Sequence, residues 1–303
     1  MGAGHGHGHA TAASAHRGRL VTVLVLTVSV MAVEIVGAVL SGSLALLADG
    51  AHMGADAGGL LLALVAVWIA GRPATAKRTY GYQRAEILAA ALNALVLFAL
   101  AAYILYQGVL RLAEPHEVSS GLMLAIAVIG LLANAAGLLL LYRGQRDSLN
   151  LRGAYLEVLS DALGSLAAIT AAVIIWFTGW TRADAIVSMA IALFIVPRAW
   201  GLLREALDVL LEAVPKGVDI TDVRARLLAQ PGVIDVHDLH AWTITSGVPV
   251  LSAHVVVDDD RLGHCTHMLD RLRDCLATDF DVEHSTLQLE PADHSRHESE
   301  QHP

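Results

Sequence analysis

The stretch Leu44–Ala70, "LALLADGAHMGADAGGLLLALVAVWIA", decides how the chain is read. It is long enough to cross a hydrocarbon core of roughly 30 Å, which takes about 20 apolar residues of helix. Within it sit Asp49, His52 and Asp56. Residues four apart lie about 40° apart around a helix, so His52 and Asp56 share a face, and Asp49 joins the same stripe one turn earlier. A charged side chain at the bilayer centre costs about 3 kcal/mol even on the lenient insertion scale, and such residues normally face a bundle interior on ion or proton pathways. The stripe therefore predicts a cation site inside the membrane.

Five further segments have the same apolar character, near residues 19–40, 86–110, 119–142, 154–178 and 183–203. The fifth span contains "AYLEVLSDALGS", in which Glu157 and Asp161 again stand four apart. Two helices thus each present a pair of possible ligands on one face. Imidazole with carboxylate suits Zn(II) and its first-row neighbours, whereas an all-oxygen cage would suit Mg(II) or Ca(II). Ligands that must shed protons to bind metal allow metal and proton to compete, which is the physical basis of antiport. Asp49, Glu34 in the first span and Asn93 in the third are candidates for lining the same pathway; the last two could equally form interhelical hydrogen bonds. Gly130, Gly137, Gly164 and Ala168 read as close-packing positions. At about 1.5 Å per residue, Asp161 to Trp180 already crosses most of the hydrocarbon, so Glu157 meets the second helix only if the fifth begins before Arg152 or tilts.

Composition agrees with a membrane protein: 303 residues, 55% hydrophobic and 16% charged, with mean hydropathy +0.56. Most acidic residues lie beyond Glu205, so the net charge of −9 belongs mainly to the tail, and no Lys/Arg cluster offers a nucleic-acid surface. The loops "GRPATAKRTYGYQR" and "YRGQRDSLNLRG" concentrate the basic residues. By the positive-inside rule they are cytoplasmic, which places both termini in the cytoplasm of a multi-pass protein of the cell (inner) membrane. Arg84 and Glu86, at the start of the third span, read as helix-anchoring charges. Cys265 and Cys275 fall in the tail and read as reduced packing residues.

Four regions follow: a flexible His/Gly-rich N-terminus over 1–18, a six-helix transmembrane domain over 19–204, a cytosolic α+β domain over 205–291 and a disordered tail over 292–303. "GHGHGH", with His5, His7 and His9, has no means of building a core. Beyond Pro215 the pattern is helix, strand, strand, helix, strand. "DITDVRARLLAQ" can be capped by Asp219 or Thr221, two β-branched strands meet at a Ser-Gly turn, and Asp258, Asp259 and Asp260 precede the second helix. Helices on one face of such a sheet leave the other face to meet something else.

With "SGSLALLADGAHMGADAGGLLLAL", "YGYQRAEILAAALNAL", "EVLSDALGSLAA" and "VIDVHDLHAWTITSGVPVLSAHVVV" in this order, the chain resembles a cation diffusion facilitator of the zinc/cadmium/cobalt exporter branch over roughly residues 19–291. The resemblance implies a homodimer of six-helix bundles with a ferredoxin-like, metallochaperone-like cytosolic domain, which exchanges divalent metal for protons by alternating access and has no enzymatic cofactor. It maps the transport site onto His52, Asp56, Glu157 and Asp161. Zinc members of the family normally have His where this chain has Glu157; Zn(II) remains the expected cargo because its tetrahedral chemistry tolerates carboxylate, and the harder site lets Co(II), Fe(II) or Mn(II) gain. A loop site found in some relatives is expected to be missing, because Arg78 and Tyr82 hold its places. In the tail the resemblance points to metal at the dimer interface through His237, His254 and Glu290, with His240 and His284 as substitutes. His237 and His240 share a strand face only if the strand bulges; His264 and His267 read as surface residues.

An intramembrane metal hydrolase would need a general base, and no "HExxH" occurs. A membrane-tethered metal sensor would gain nothing from buried ligand pairs in its anchor. A passive channel would need a continuous polar stripe, and these spans carry isolated polar groups.

Overall fold

A computed structural model describes residues 9–142, 149–258 and 265–294. His5, His7, Asp259, Asp260, His264 and residues 295–303 lie outside the described residues, as do the side chains of His9 and Cys265. Two compact units divide the chain, one of residues up to Leu62 with Leu92–Gly201, the other of Ala63–Ala91 with the residues from Leu202 onward.

Among the described residues, six helices are long and apolar enough to cross a membrane: α1 (His9–Ser41), α2 (Leu44–Ala70), α3 (Ala85–Ala113), α4 (Ser120–Tyr142), α5 (Leu149–Thr178) and α6 (Arg182–Leu210). The expected membrane helices are all present, and α5 and α6 extend beyond the ends expected from hydropathy, because a helix continues past the apolar stretch that first reveals it. In the first unit, Ala38, Ala45, Ala127, Ala168, Ala171 and Ala172 are buried together with Leu46 and Met123. Small side chains let helices approach closely where no aqueous hydrophobic effect drives them together. Leu139, Phe177 and Phe194 are turned outward, as a lipid-facing surface requires.

Asp184, in the first turn of α6, is buried and caps the N-terminus of α2. Its Oδ2 accepts from the backbone N–H of Leu44 at 2.7 Å and its Oδ1 from the Ser43 hydroxyl at 2.6 Å. Arg111 of α3 donates to the Gly42 carbonyl at 2.6 Å and stands 3.4 Å from Asp184. A carboxylate at a helix N-terminus satisfies orphan donors and faces the positive end of the helix dipole. The sequence places no such acid just before Leu44; the fold brings it from the start of α6, far along the chain.

In the second unit, Asp219 caps α7 (Ile220–Leu228) by accepting from the Thr221 N–H at 2.8 Å. Strands β1 (Val233–Thr243) and β2 (Pro249–Val257) pair antiparallel through a turn at Gly247, whose φ is 74°. Parallel strands need a crossover, and α8 (Cys265–Phe280) supplies it before β3 (His284–Pro291) joins β2. The sheet order is β1-β2-β3. Val223 and Leu227 of α7 and Met268, Leu272 and Leu276 of α8 form one core with Val236, Leu251, Ala253 and Val255 of the sheet. Helices thus cover one sheet face, as the pattern predicts. Burial raises the Cys275 thiol above its usual range, which suits the packing role expected of it. Arg84 Nη2 donates to Glu212 Oε1 at 3.0 Å, and Glu86 Oε2 accepts from the Thr245 hydroxyl at 2.7 Å. The charges at the start of α3 are thereby tied to other elements of the same unit. Arg78 lies over the Tyr82 ring at 4.3 Å.

Candidate metal centres

Helical periodicity puts His52 and Asp56 on one face of α2, with His52 Nε2 3.4 Å from Asp56 Oδ2. Because α5 begins at Leu149, before Arg152, Glu157 is already one full turn or more inside the helix and reaches them. Ligand-type atoms of His52, Asp56 and Glu157 all lie within 4.8 Å of one another. Asp161, one turn further along α5, is not in that trio; it is buried, and its Oδ1 has no hydrogen-bond partner among the described residues. His52 Nδ1 and Asp56 Oδ2 are also buried without a hydrogen bond of good geometry. Unsatisfied acceptors in a buried site are costly unless something else occupies them, and a cation is what two carboxylates and an imidazole can share.

Arg198 of α6 was not anticipated. Its Nη1 donates to Glu157 Oε1 at 2.9 Å and stands 3.5 Å from Asp56 Oδ2. The available signal was a lone arginine inside a span, in "IVPRAW".

Asp49 and Glu34 meet elsewhere in the same unit. The Ser165 hydroxyl of α5 lies 3.5 Å from Glu34 Oε1 and 3.5 Å from Asp49 Oδ2, and accepts from Asn134 Nδ2 of α4 at 3.4 Å. All four side chains are buried. Glycines admit the two acids: a Cβ on Gly130 would stand 2.5 Å from Glu34 Oε1, and one on Gly164 would collide with Asp49 Oδ1. Asn93 is not part of this group; it packs against Gly59 of α2, where a Cβ would lie 2.6 Å from its side chain.

The second group is on the sheet face opposite the helices. The register of β1 slips between His237 and His240, and Asp238 has φ of 47°. Aspartate tolerates this left-handed conformation better than most residues. The bulge resets the alternation, so Val236 and Leu239 point into the core while His237 and His240 share the other face. His237 pairs directly with His254 of β2, their ring centroids 5.1 Å apart. Glu290 of β3 is 2% exposed, and its Oε1 lies 2.8 Å from His237 Nε2 and 3.5 Å from His254 Nδ1. Asp238, which sequence reasoning passed over, adds a carboxylate 3.3 Å from His237 Nδ1. His240 is exposed beside the group. The structure does not bring His284 to it: that residue is exposed and pairs with Val250, at the other end of β3 from Glu290. His267 is exposed on α8.

Six helices able to cross a membrane, two of which bring imidazole and carboxylate groups together, are what a membrane carrier for cations requires. Residues 20–211 match the cation efflux transmembrane domain family, and residues 215–292 match the cation efflux protein cytoplasmic domain family. The chain is 48% identical over 269 residues to the metal cation efflux system protein CzcD of Cupriavidus metallidurans, covering 89% of this chain and 85% of that protein. To the zinc transporter ZitB of Escherichia coli it is 42% identical over 266 residues, covering 86% and 83% respectively. The cadmium, cobalt and zinc/H(+)-K(+) antiporter of Bacillus subtilis shares 37% over 268 residues, covering 88% and 86%. Among solved structures, the metal-bound C-terminal domain of the CzcD transporter from C. metallidurans is 42% identical, covering 24% of this chain and 99% of that one with a TM-score of 0.23. The chain belongs to the cation diffusion facilitator family. It is a multi-pass divalent metal efflux transporter and not an enzyme.

Proposed function

We propose that this chain exports Zn(II) from the cytoplasm in exchange for protons, through a site formed by His52, Asp56, Glu157 and Asp161. The observation that carries the reading is the convergence of His52, Asp56 and Glu157 from two otherwise apolar helices, with donor atoms within 4.8 Å of one another. Asp161 closes the set when α5 shifts by a fraction of a turn relative to α2. One nitrogen and carboxylate oxygens suit tetrahedral Zn(II), with Cd(II) and Co(II) as further cargo. The ligands take up protons when the metal leaves, so a proton gradient can drive release on the far side. The names of the zinc, cadmium and cobalt transporters among the relatives support the cargo assignment.

The functional division falls between residues 204 and 205, the tail is cytosolic, and both termini face the cytoplasm of the cell membrane. The carrier is a homodimer, and His237, Asp238, His254 and Glu290 hold a metal in the tail that tightens the dimer when the cytosolic supply rises. Two nitrogens and two carboxylates fit a zinc-type donor set, and the buried Glu290 carboxylate, 2.8 Å from His237 Nε2 and 3.5 Å from His254 Nδ1, marks where the ion would lie.

Uptake into proteoliposomes under an imposed pH gradient tests this reading. With the lumen acidic, Zn(II) uptake is expected to exceed that in gradient-free vesicles by about tenfold and to collapse when a protonophore is added. Uptake indifferent to the gradient would remove antiport. A second reading, preference for Mn(II) or Fe(II), draws on the three carboxylates against one imidazole. In the same assay it expects those metals to outrun Zn(II), whereas the zinc reading expects the reverse.

A further inference from the structure

The geometry points to Arg198 of α6 as a tethered counter-cation of the transport site, a built-in competitor that the incoming metal must displace and that sets the affinity for cargo. The inference rests on the assignment of Asp56 and Glu157 as cargo ligands proposed above.

Arg198 Nη1 contacts both carboxylates at once, at 2.9 Å from Glu157 Oε1 and 3.5 Å from Asp56 Oδ2. Asp56 Oδ2 is also the oxygen that faces His52 Nε2 at 3.4 Å. The guanidinium is therefore bound to the oxygens that a metal between His52, Asp56 and Glu157 would take. A metal at about 2.0–2.2 Å from a carboxylate oxygen and a guanidinium on the same oxygen compete for its lone pairs and repel each other. Guanidinium keeps its proton throughout the physiological range, so the conflict cannot be relieved by titrating the arginine; the side chain has to move. It has room to do so: the Arg198 side chain is 44% exposed, whereas that of Asp56 is 18% exposed.

Two consequences follow for transport. In the empty carrier, Arg198 neutralises one of two adjacent carboxylates, so the site can exist without cargo and without mutual repulsion between the acids. In the loaded carrier, the displaced guanidinium waits close by and recaptures Glu157 as the metal leaves, which favours release over retention. Arg198 is a positioning residue in this account, acting through Glu157 and Asp56 on the metal.

The test is Zn(II) transport by the full chain in proteoliposomes, with half-saturation and maximal rate measured separately. Arg198→Gln and Arg198→Met are both expected to lower the half-saturating Zn(II) concentration roughly tenfold and to lower the maximal rate, because the unneutralised carboxylates hold the ion longer. Arg198→Lys keeps the charge and is expected to lie within about threefold of the native half-saturation. On a Glu157→Gln background, removal of Arg198 is expected to have less effect, since the two act as a pair. A half-saturation that is unchanged or raised in both charge-removing variants would overturn the inference, as would a Lys variant indistinguishable from Gln. Asp56→Ala separates the two levels of the account. If that variant transports at the native rate, the site assignment itself is wrong; if it is inactive while Arg198→Gln leaves half-saturation unchanged, only the role of Arg198 is lost.

Discussion

Asp56→Ala is expected to reduce Zn(II) flux in proteoliposomes by about 100-fold or more while leaving the protein folded. Loss even of a residue that merely orients a metal ligand lowers affinity or activity 10- to 100-fold, and Asp56 is proposed to touch the ion itself. The fold is expected to survive because the contacts Asp56 Oδ2 makes are long, 3.4 Å to His52 Nε2 and 3.5 Å to Arg198 Nη1, and neither is a hydrogen bond of good geometry. Breaking an ion pair usually strands the other partner, but Arg198 keeps its shorter contact to Glu157 at 2.9 Å. Flux measured beside the thermal transition of the detergent-solubilised protein separates the two effects. Native flux would exclude Asp56 from the site, and a collapsed transition would make its role structural.

A second large effect is expected in the tail. Glu290→Gln should weaken Zn(II) binding by the proposed site in the tail about 100-fold, measured by equilibrium titration of the full chain. The metal-free protein should keep close to native stability, because the substitution replaces a 2% exposed carboxylate with a neutral isostere whose side-chain oxygen can still face His237 Nε2, which lies 2.8 Å from Glu290 Oε1. The combination identifies a ligand: a purely structural glutamate would lose stability in the absence of metal, and unaltered titration would place the ion elsewhere. Under the proposed linkage, the variant should also dimerise without responding to Zn(II).

The pairs His52/Asp56 and Glu157/Asp161 were legible because helix periodicity alone fixes which residues share a face, and because ionisable groups in apolar spans are costly enough to demand a reason. Whether the two faces meet was not legible. That depends on the start of α5 at Leu149 and on the close approach of α5 to α2 where Gly164 leaves room for Asp49, both properties of the assembled bundle. Arg198 was overlooked although an arginine within a span is as expensive as an aspartate; its partner lies on another helix, and sequence spacing says nothing about such pairs. In the tail, alternation shows which residues of β3 share a face but not their register against β2. His284 and Glu290 satisfy the same alternation, and only the pairing of Glu290 with Val256 brings it beside His254. Asp238 was hidden by the bulge, where one extra residue breaks the period on which strand reading depends. The distant Asp184 cap on α2 was invisible for the same reason as Arg198.

The most direct measurement is the anomalous scattering of Zn(II) in crystals of the full-length chain. A peak is expected between α2 and α5, with His52 nitrogen and carboxylate oxygens of Asp56 and Asp161 or Glu157 at about 2.0–2.2 Å, and with the Arg198 guanidinium withdrawn from Asp56. Absence of a peak there in zinc-saturated crystals, together with undiminished Zn(II) flux in a variant carrying alanine at His52, Asp56, Glu157 and Asp161, would contradict the account.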